Sequence, residues 1–251
     1  MSIQIIPKSR QGSGAFNGGE IIENKPIGFP QDQGEVTPYS NLFYWAYAEA
    51  KVDSTIGLHP HQGFEIMSFV LRGRIRHFDT QMKEWRPLEA GGAQIIRAGK
   101  GISHAEHMEK DAVMFQIWVD PNLNKTLAQS ASYDDYKSTD FPVTEVEGIS
   151  VKTYVGINAP LRMDTEGVKI QELSFDRIEQ DVAISGNDVH SIYLMEGAIH
   201  LNGEEVVQDD FVIVSDLDQL KIKSAGVGRI FMISSPKRPS YKTYVELKGK
   251  D

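Results

Sequence analysis

The segment FVLRGRI at residues 69–75 has a counterpart, YLMEGAI, at residues 193–199. Each copy runs from apolar residues into a glycine, a pattern typical of a strand that ends in a tight turn. A predicted hairpin and a further apolar run, at residues 94–96 and 212–214, follow the two copies. Such internal similarity indicates a repeated structural unit. We therefore predict two related β-units in tandem, which suit a chain of 251 residues better than one large barrel.

Strand-like patterns extend over most of the remaining chain. Short apolar, β-branched or aromatic runs occur at residues 41–48, 65–71, 113–119, 149–155, 191–195, 211–214 and 229–234. Most of these runs are bounded by Gly, Pro, Asn or Asp. Asn202-Gly203 separates two short apolar runs and predicts a type I′ hairpin turn. Many short strands with frequent turns favour an all-β fold, either a sandwich or a barrel.

One stretch, from Pro121 to Pro142, does not follow the strand pattern. It is rich in Asn, Asp and Ser and its apolar periodicity is weak. We interpret it as a linker, with one short helix, between two β-rich halves. The predicted organisation is a first domain over residues 1–125, a linker over residues 126–145 and a second domain over residues 146–251.

Composition excludes several function classes. The chain has no cysteine, so disulfides, thiolate metal sites, iron–sulfur clusters and cysteine nucleophiles are ruled out. The formal net charge of −9 argues against direct binding of nucleic acid or of an anionic membrane. No apolar run approaches the roughly 18 residues of a transmembrane helix. We predict a soluble, cytoplasmic protein whose chemistry depends on histidines, carboxylates or a bound metal.

Two pairs of residues with metal-ligating side chains lie in the first half of the chain. His59 and His61 are two positions apart, and so are His104 and Glu106. Residues at i and i+2 of an extended strand share one face. Each pair taken alone is more typical of polar side chains on a strand, or of buried histidines with hydrogen-bond partners. Two such pairs beside glycine-rich turns favour one site of three imidazoles and a carboxylate, which suits a divalent first-row metal.

The segments that carry these pairs resemble two motifs of the pirins, a branch of the cupin superfamily. Residues 57–73 read GLHPHQGFEIMSFVLRG, and residues 92–106 read GAQIIRAGKGISHAE. The patterns H-P-H-x-G-x-E and A-G-x-G-I-x-H-x-E are together highly specific to that family. The close similarity covers residues 58–120, about a quarter of the chain. It implies a bicupin, which is two tandem cupin (jelly-roll-like) β-barrels packed together.

The resemblance also implies a ligand set and a cofactor. In pirins the two histidines of the first motif and the His and Glu of the second bind iron, which corresponds here to His59, His61, His104 and Glu106. One divalent transition metal is therefore expected in the first barrel. Fe(II) is the expected ion, and Mn, Ni, Co, Cu or Zn would suit the same ligands.

Some pirins cleave quercetin with dioxygen, so the resemblance implies a quercetin 2,3-dioxygenase that acts on a small flavonol-like substrate. Glu106 would then be the catalytic residue that accepts the substrate's hydroxyl proton. Another pirin is a redox-sensitive transcriptional cofactor, so a non-enzymatic, metal-binding, redox-sensing regulator is the alternative. A different cupin reaction on a small diketone or sugar is a third possibility. We expect a monomer, because two packed barrels need no partner to cover their edges.

Other polar residues of the first half receive different interpretations. Glu65 is four residues after His61, so on a regular strand it would share its face and act as a second-shell partner of the ligands. His107 is an odd step from His104 and is expected to face away from the metal. His77 is expected to be exposed or to cap a turn.

The second half of the chain lacks the ligand pattern. Alignment of the two repeat copies places Ala183 and Ser185 at the positions of His59 and His61. The second barrel is therefore predicted to bind no metal.

Overall fold

The computed structural model describes residues 2–249, which form antiparallel β-strands with little helix. The first strands are β1 (Ser2–Ile6), β2 (Gly12–Phe16), β3 (Ile21–Ile27), β4 (Leu42–Ala50), β5 (Ser54–His61), β6 (Glu65–Arg72), β7 (Arg74–Asp79), β8 (Arg86–Glu89), β9 (Ala93–Arg97), β10 (Ile102–Met108), β11 (Val113–Val119) and β12 (Ser132–Tyr136). They are followed by β13 (Val143–Val146), β14 (Ile149–Val155), β15 (Lys169–Ala183), β16 (Asp188–Glu196), β17 (Ala198–Leu201), β18 (Glu204–Val207), β19 (Phe211–Ser215) and β20 (Gln219–Pro236). The predicted all-β class is confirmed.

Helices in the described part of the chain are short. The α-helices are α1 (Leu123–Thr126) and α2 (Tyr244–Lys248), and single 3-10 turns occupy Lys8–Arg10, Asn17–Gly19, Pro30–Asp32 and Ser138–Asp140. None of the helices found within residues 2–249 is long and apolar enough to cross a membrane.

The described chain forms two compact units. The histidine-rich unit comprises residues 11–140, 161–166 and 239–249, and the histidine-poor unit comprises residues 2–10, 141–160 and 167–238. Three segments, at residues 2–10, 161–166 and 239–249, thus belong to a different unit from the one that a single division of the chain would give them. The physical reason is clear for the first, because β1 pairs antiparallel with β19 and completes the sheet of the histidine-poor unit.

The histidine-rich unit consists of two sheets. One has seven strands in the order β12-β9-β6-β11-β4-β3-β2, and the other has four in the order β5-β10-β7-β8. A cluster of buried side chains joins them, with Val70 and Met114 from the first sheet and Ile56 and Ile75 from the second. The sheets therefore pack face to face, and the face that β5, β7 and β10 turn inward is the place where functional side chains can converge.

The predicted linker at residues 126–145 contains more structure than expected. Helix α1 precedes it, and Asn122 caps that helix by accepting a hydrogen bond from the Asn124 backbone N–H. Strand β12 then pairs with β9, with Tyr133 opposite Ile96. Part of this segment therefore belongs to the sheet of the histidine-rich unit. The edge position explains the weak sequence signal, because an edge strand with one solvated face needs few apolar residues.

The histidine-poor unit is built on one sheet in the order β1-β19-β16-β20-β15-β14-β13, with β17 paired to both β18 and β20. Strands β15 and β20 pair along almost their whole length, with a register shift between Asp176 and Ile178. The predicted type I′ turn is confirmed, because Asn202 and Gly203 join β17 to β18 with φ values of 51° and 92°. The inward face of this sheet carries a large aliphatic core.

Candidate metal centre

Three imidazoles converge on the inner side of the four-stranded sheet. His59 and His61 are on β5, and His104 is on the neighbouring strand β10, directly opposite His59. One ring nitrogen from each residue lies within 4.8 Å of one from each of the others. The ring centroids are 4.4 Å apart for His59 and His104, and 4.7 Å apart for His61 and His104. The i, i+2 spacing and the cross-strand pairing together produce this cluster.

The free nitrogens of the cluster suit a metal. His59 Nδ1 lies 2.8 Å from the Gly57 carbonyl oxygen, so Nδ1 carries the proton and Nε2 keeps its lone pair. His61 Nε2 and both ring nitrogens of His104 are buried and have no hydrogen-bond partner among the described residues. Buried polar atoms are rarely left in this state without an ion or a water molecule.

Burial also sets the protonation of these rings. It lowers the pKa of His61 to about 4, with a smaller effect from neighbouring His59. The pKa of His104 is likewise well below its usual value, first through burial and then through the surrounding histidines. Both rings are therefore neutral near pH 7, which is the form that binds a metal.

Glu106, the predicted fourth ligand, lies beside the cluster and not within its 4.8 Å group. Its Oε1 is 3.5 Å from His104 Nδ1, and the side chain is fully buried. Oε2 has no hydrogen-bond partner within residues 2–249. Burial and, to a smaller extent, the nearby carboxylate of Glu23 raise the pKa of Glu106 to about 8, against a hydrogen bond from Gln116 that lowers it. The structure thus brings a carboxylate with one free oxygen to the three imidazoles.

Two residues of β11 complete the surroundings of the site. Gln116 Nε2 donates a 2.5 Å hydrogen bond to Glu106 Oε1, and Trp118 Nε1 donates a 3.4 Å bond to Gln116 Oε1. The Trp118 ring meets His61 edge-on at 4.7 Å. Sequence reasoning missed Gln116. The signal was available, because it is the single polar residue in the apolar run VMFQIWV.

Glu65 does not have the role predicted for it. Its carboxylate accepts hydrogen bonds from the backbone N–H groups of Asp164 and Thr165, at 2.7 and 2.9 Å, and one from Thr165 Oγ1 at 2.5 Å. These hydrogen bonds of Glu65 are thus to residues 164–165 and not to a predicted metal ligand. Glu65 was expected to share the strand face of His61, because four residues separate them on a regular strand. That alternation does not apply here, because β5 ends at His61 and the chain turns at Gly63, where φ is +84°, before β6 begins.

His77 is also placed differently from the prediction. It is 1% exposed and opposite Glu106 in the pairing of β7 with β10, and its ring stacks on Tyr133 at 5.0 Å. Its inward orientation follows from alternation, because Ile75 and His77 share the buried face of β7. His107 faces away from the cluster as predicted, and its Nδ1 is 2.9 Å from the hydroxyl of Thr55.

A surface depression of the histidine-rich unit borders one residue of the cluster. It has a volume of about 560 Å³ and is lined by Pro60 and His61 of β5, by Gln62 and Thr80 and by residues 100–103. His61 is the cluster residue that this lining includes.

Comparison with known proteins agrees with this architecture. Two β-units, of which one carries clustered imidazoles, define a cupin-type protein with a candidate metal centre. The family model described as Pirin matches residues 30–119. A pirin-like protein of Caulobacter vibrioides is 30% identical over 193 residues, which are 70% of this chain and 67% of that protein. The chain belongs to the pirin family.

Solved structures show the same fold at low sequence identity. A bacterial pirin from Escherichia coli, in complex with nickel(II), has a TM-score of 0.77 and 18% identity over 94% of this chain and 99% of that one. A quercetin 2,3-dioxygenase from Acinetobacter baumannii has a TM-score of 0.81 and 18% identity over 98% of this chain and 86% of that one. The expected bicupin fold is thereby confirmed.

Proposed function

We propose that this pirin is a metal-dependent dioxygenase that opens the heterocyclic ring of quercetin or a related flavonol. The observation that carries the proposal is the cluster of three imidazoles, two of them buried, beside a buried carboxyl group and next to a surface depression. The names of related proteins add support. They include the Acinetobacter quercetin 2,3-dioxygenase and a Pseudomonas aeruginosa protein, provisionally named for the same activity, that is 29% identical over 208 residues.

His59, His61, His104 and Glu106 would hold one divalent metal. Three nitrogens and one oxygen suit Fe(II) first, and also Mn, Ni, Co, Cu or Zn. The free nitrogens of the imidazoles and the free Oε2 of Glu106 fit this role, since a bound cation would pair each of them. When bound, the metal would supply a Lewis acid for the substrate's oxygen atoms and a centre at which dioxygen can react.

Glu106 is the proposed catalytic residue. The Gln116 amide holds Oε1, so Oε2 is the atom that would pair the cation and, on loosening from it, accept the proton of a flavonol 3-hydroxyl group. The deprotonated flavonol is rich in electrons and is therefore open to attack by dioxygen.

Aromatic side chains would hold the planar substrate and exclude water. Trp118 contacts His61, and the Phe64 and Phe43 rings lie 5.9 and 6.2 Å from Trp118. Ring faces and edges of this kind favour stacking against a flat aromatic molecule. The proposal thus assigns proton transfer to Glu106, its orientation to Gln116 and substrate packing to the aromatic group.

The test measures bound metal in the purified protein and the loss of quercetin absorbance under air and under argon. We expect oxygen-dependent turnover that is abolished in His59→Ala and Glu106→Ala. Gln116→Leu should be about 10–100-fold slower, because it removes the hydrogen bond that orients Glu106. The matched control is His107→Ala, which removes a histidine that faces away from the cluster.

Two results would contradict the proposal. Full metal occupancy without turnover of quercetin or another flavonol would exclude the dioxygenase and favour the redox-sensing regulator. Unchanged turnover in Glu106→Ala would exclude Glu106 as the base.

A further inference from the structure

We infer that the histidine-poor unit contains a second small-molecule site, which binds a neutral aromatic compound that carries hydroxyl groups. The site is a cavity of about 650 Å³ lined by β13, β14, β15, β16, β20 and residues 181–185. This volume is within the usual range of ligand pockets. The inference concerns the histidine-poor unit alone and does not depend on the activity proposed for the metal centre.

A polar row across three paired strands forms part of the cavity lining. Lys169 of β15 is opposite Ser234 of β20, and Ser234 is opposite His190 of β16. Cross-strand partners point to the same side of a sheet, so the three side chains lie side by side. All three line the cavity.

Apolar side chains form much of the remaining lining. The next row along the strands pairs Gln171 with Met232, and the row beyond it contains Val151 and Leu173. Val182 and other aliphatic side chains of the 181–185 segment line the same cavity. A polar row beside apolar side chains selects an amphipathic molecule whose ring system packs on the apolar side chains and whose polar groups reach the polar row.

Hydrogen bonding within the polar row determines which polar groups of a ligand fit beside it. His190 is 2% exposed, and its Nε2 lies 3.0 Å from the Ser185 carbonyl oxygen. That carbonyl can only accept, so Nε2 carries the proton, and Nδ1 must accept from the Ser234 hydroxyl at 2.8 Å. Ser234 Oγ has then used its proton, and it presents only lone pairs to a ligand.

The charges of the lining point in the same direction. Carboxylates of Glu147, Asp181 and Asp188 line the cavity together with one ammonium group, that of Lys169. Their net charge repels an anion and favours groups that donate hydrogen bonds. A ligand with a carboxylate or phosphate group is therefore disfavoured. A neutral phenol can donate its hydroxyl proton to Ser234 Oγ and pack its ring on the apolar side chains.

The test uses 2-naphthol as the probe and the full-length protein as purified. Titration followed by calorimetry or naphthol fluorescence should give saturable binding, with a dissociation constant on the order of 100 µM for a ligand of this size. The anion 2-naphthoate, which has the same rings, should bind at least about 10-fold more weakly because of the carboxylates.

Variants locate the site. Val182→Trp and Ile184→Trp fill the cavity from half-buried positions of its lining, and each should weaken naphthol binding at least about 10-fold. The matched control is Val227→Trp, an exposed position of β20 that is not part of the lining, and it should bind as the wild type does. An unchanged melting temperature in either cavity variant shows that lost binding is not lost folding.

Three results would overturn the inference. They are the absence of saturable naphthol binding, binding that persists in both cavity variants, and naphthoate binding as tight as that of naphthol. The second result would place the probe elsewhere in the protein, and the third would exclude a neutral phenol as the preferred ligand.

Discussion

His104 and His190 are both almost fully buried, one in each unit, yet they differ in hydrogen bonding. His104 is 1% exposed and has no hydrogen-bond partner for either ring nitrogen within the described chain. His190 is 2% exposed, and both of its nitrogens are engaged by Ser234 and Ser185. Burial alone therefore does not make a histidine a ligand. The difference lies in whether its lone pairs have partners already.

The two units extend this comparison from single residues to whole inner faces. The histidine-rich unit brings three imidazoles together and places Glu106 beside His104. The histidine-poor unit has a cavity, in whose wall Ala183 and Ser185 stand at the aligned positions of the first two histidines. Related β-scaffolds thus support different sites, and the side chains at a few inward positions decide which site forms.

The largest expected effect tests whether the two buried histidines differ in metal binding. His104→Ala should lower metal affinity by more than about 100-fold, because one of few strong ligands is lost. His190→Ala should leave metal stoichiometry unchanged and cost about 1–3 kcal/mol of unfolding free energy, because Ser234 loses its buried partner. Metal analysis and urea unfolding of both variants provide the check. Equal loss of metal in the two variants would contradict the prediction that His104, but not His190, holds the metal.

A second prediction concerns the different roles of Glu65 and Glu106 in the histidine-rich unit. Glu65→Ala should lower the unfolding free energy by about 2–3 kcal/mol, because three hydrogen bonds from residues 164 and 165 are lost. Bound metal per chain should stay at the wild-type value, in contrast to Glu106→Ala. Denaturant unfolding combined with metal analysis measures both quantities. Loss of metal in Glu65→Ala would restore the ligand-supporting role that the sequence suggested.

The smallest effect concerns pH and Asp120. Burial raises the pKa of this carboxyl to about 6, although its Oδ2 accepts a hydrogen bond from the Tyr244 backbone N–H at the start of α2. A raised folded-state pKa means that the stabilising contribution is complete below about pH 4 and is lost as the pH rises through about 6. Asp120→Asn removes this dependence and can still accept the Tyr244 hydrogen bond through its amide oxygen.

Unfolding free energies of the wild type and Asp120→Asn, measured between pH 4 and pH 8, provide the check. The wild type should lose about 1–2 kcal/mol relative to the variant between pH 4 and pH 7.5, a value reduced for partial solvent screening. A difference between the two proteins that is constant with pH would show that Asp120 titrates in the folded state as it does in the unfolded one.

Local sequence determined much of this protein. Strand positions, the Asn202-Gly203 turn and the two-residue spacing of His59 and His61 all depend on neighbours along the chain, and the structure agrees with each. The same dependence on neighbours explains why residues 126–145 show little strand pattern. An edge strand such as β12 carries little apolar pattern and is recognised through its partner β9.

Only the tertiary structure decided how the candidate site is assembled. The register of β5 against β10 places His59 opposite His104, and β11 supplies Gln116 to Glu106. The turn at Gly63 directs Glu65 toward residues 164–165, about 100 positions later in the chain. Local preference sets which face of a strand a side chain occupies, whereas its partners depend on the register of distant strands. That register is fixed when the apolar faces of the paired strands are buried together, so it depends on the packing of the whole unit.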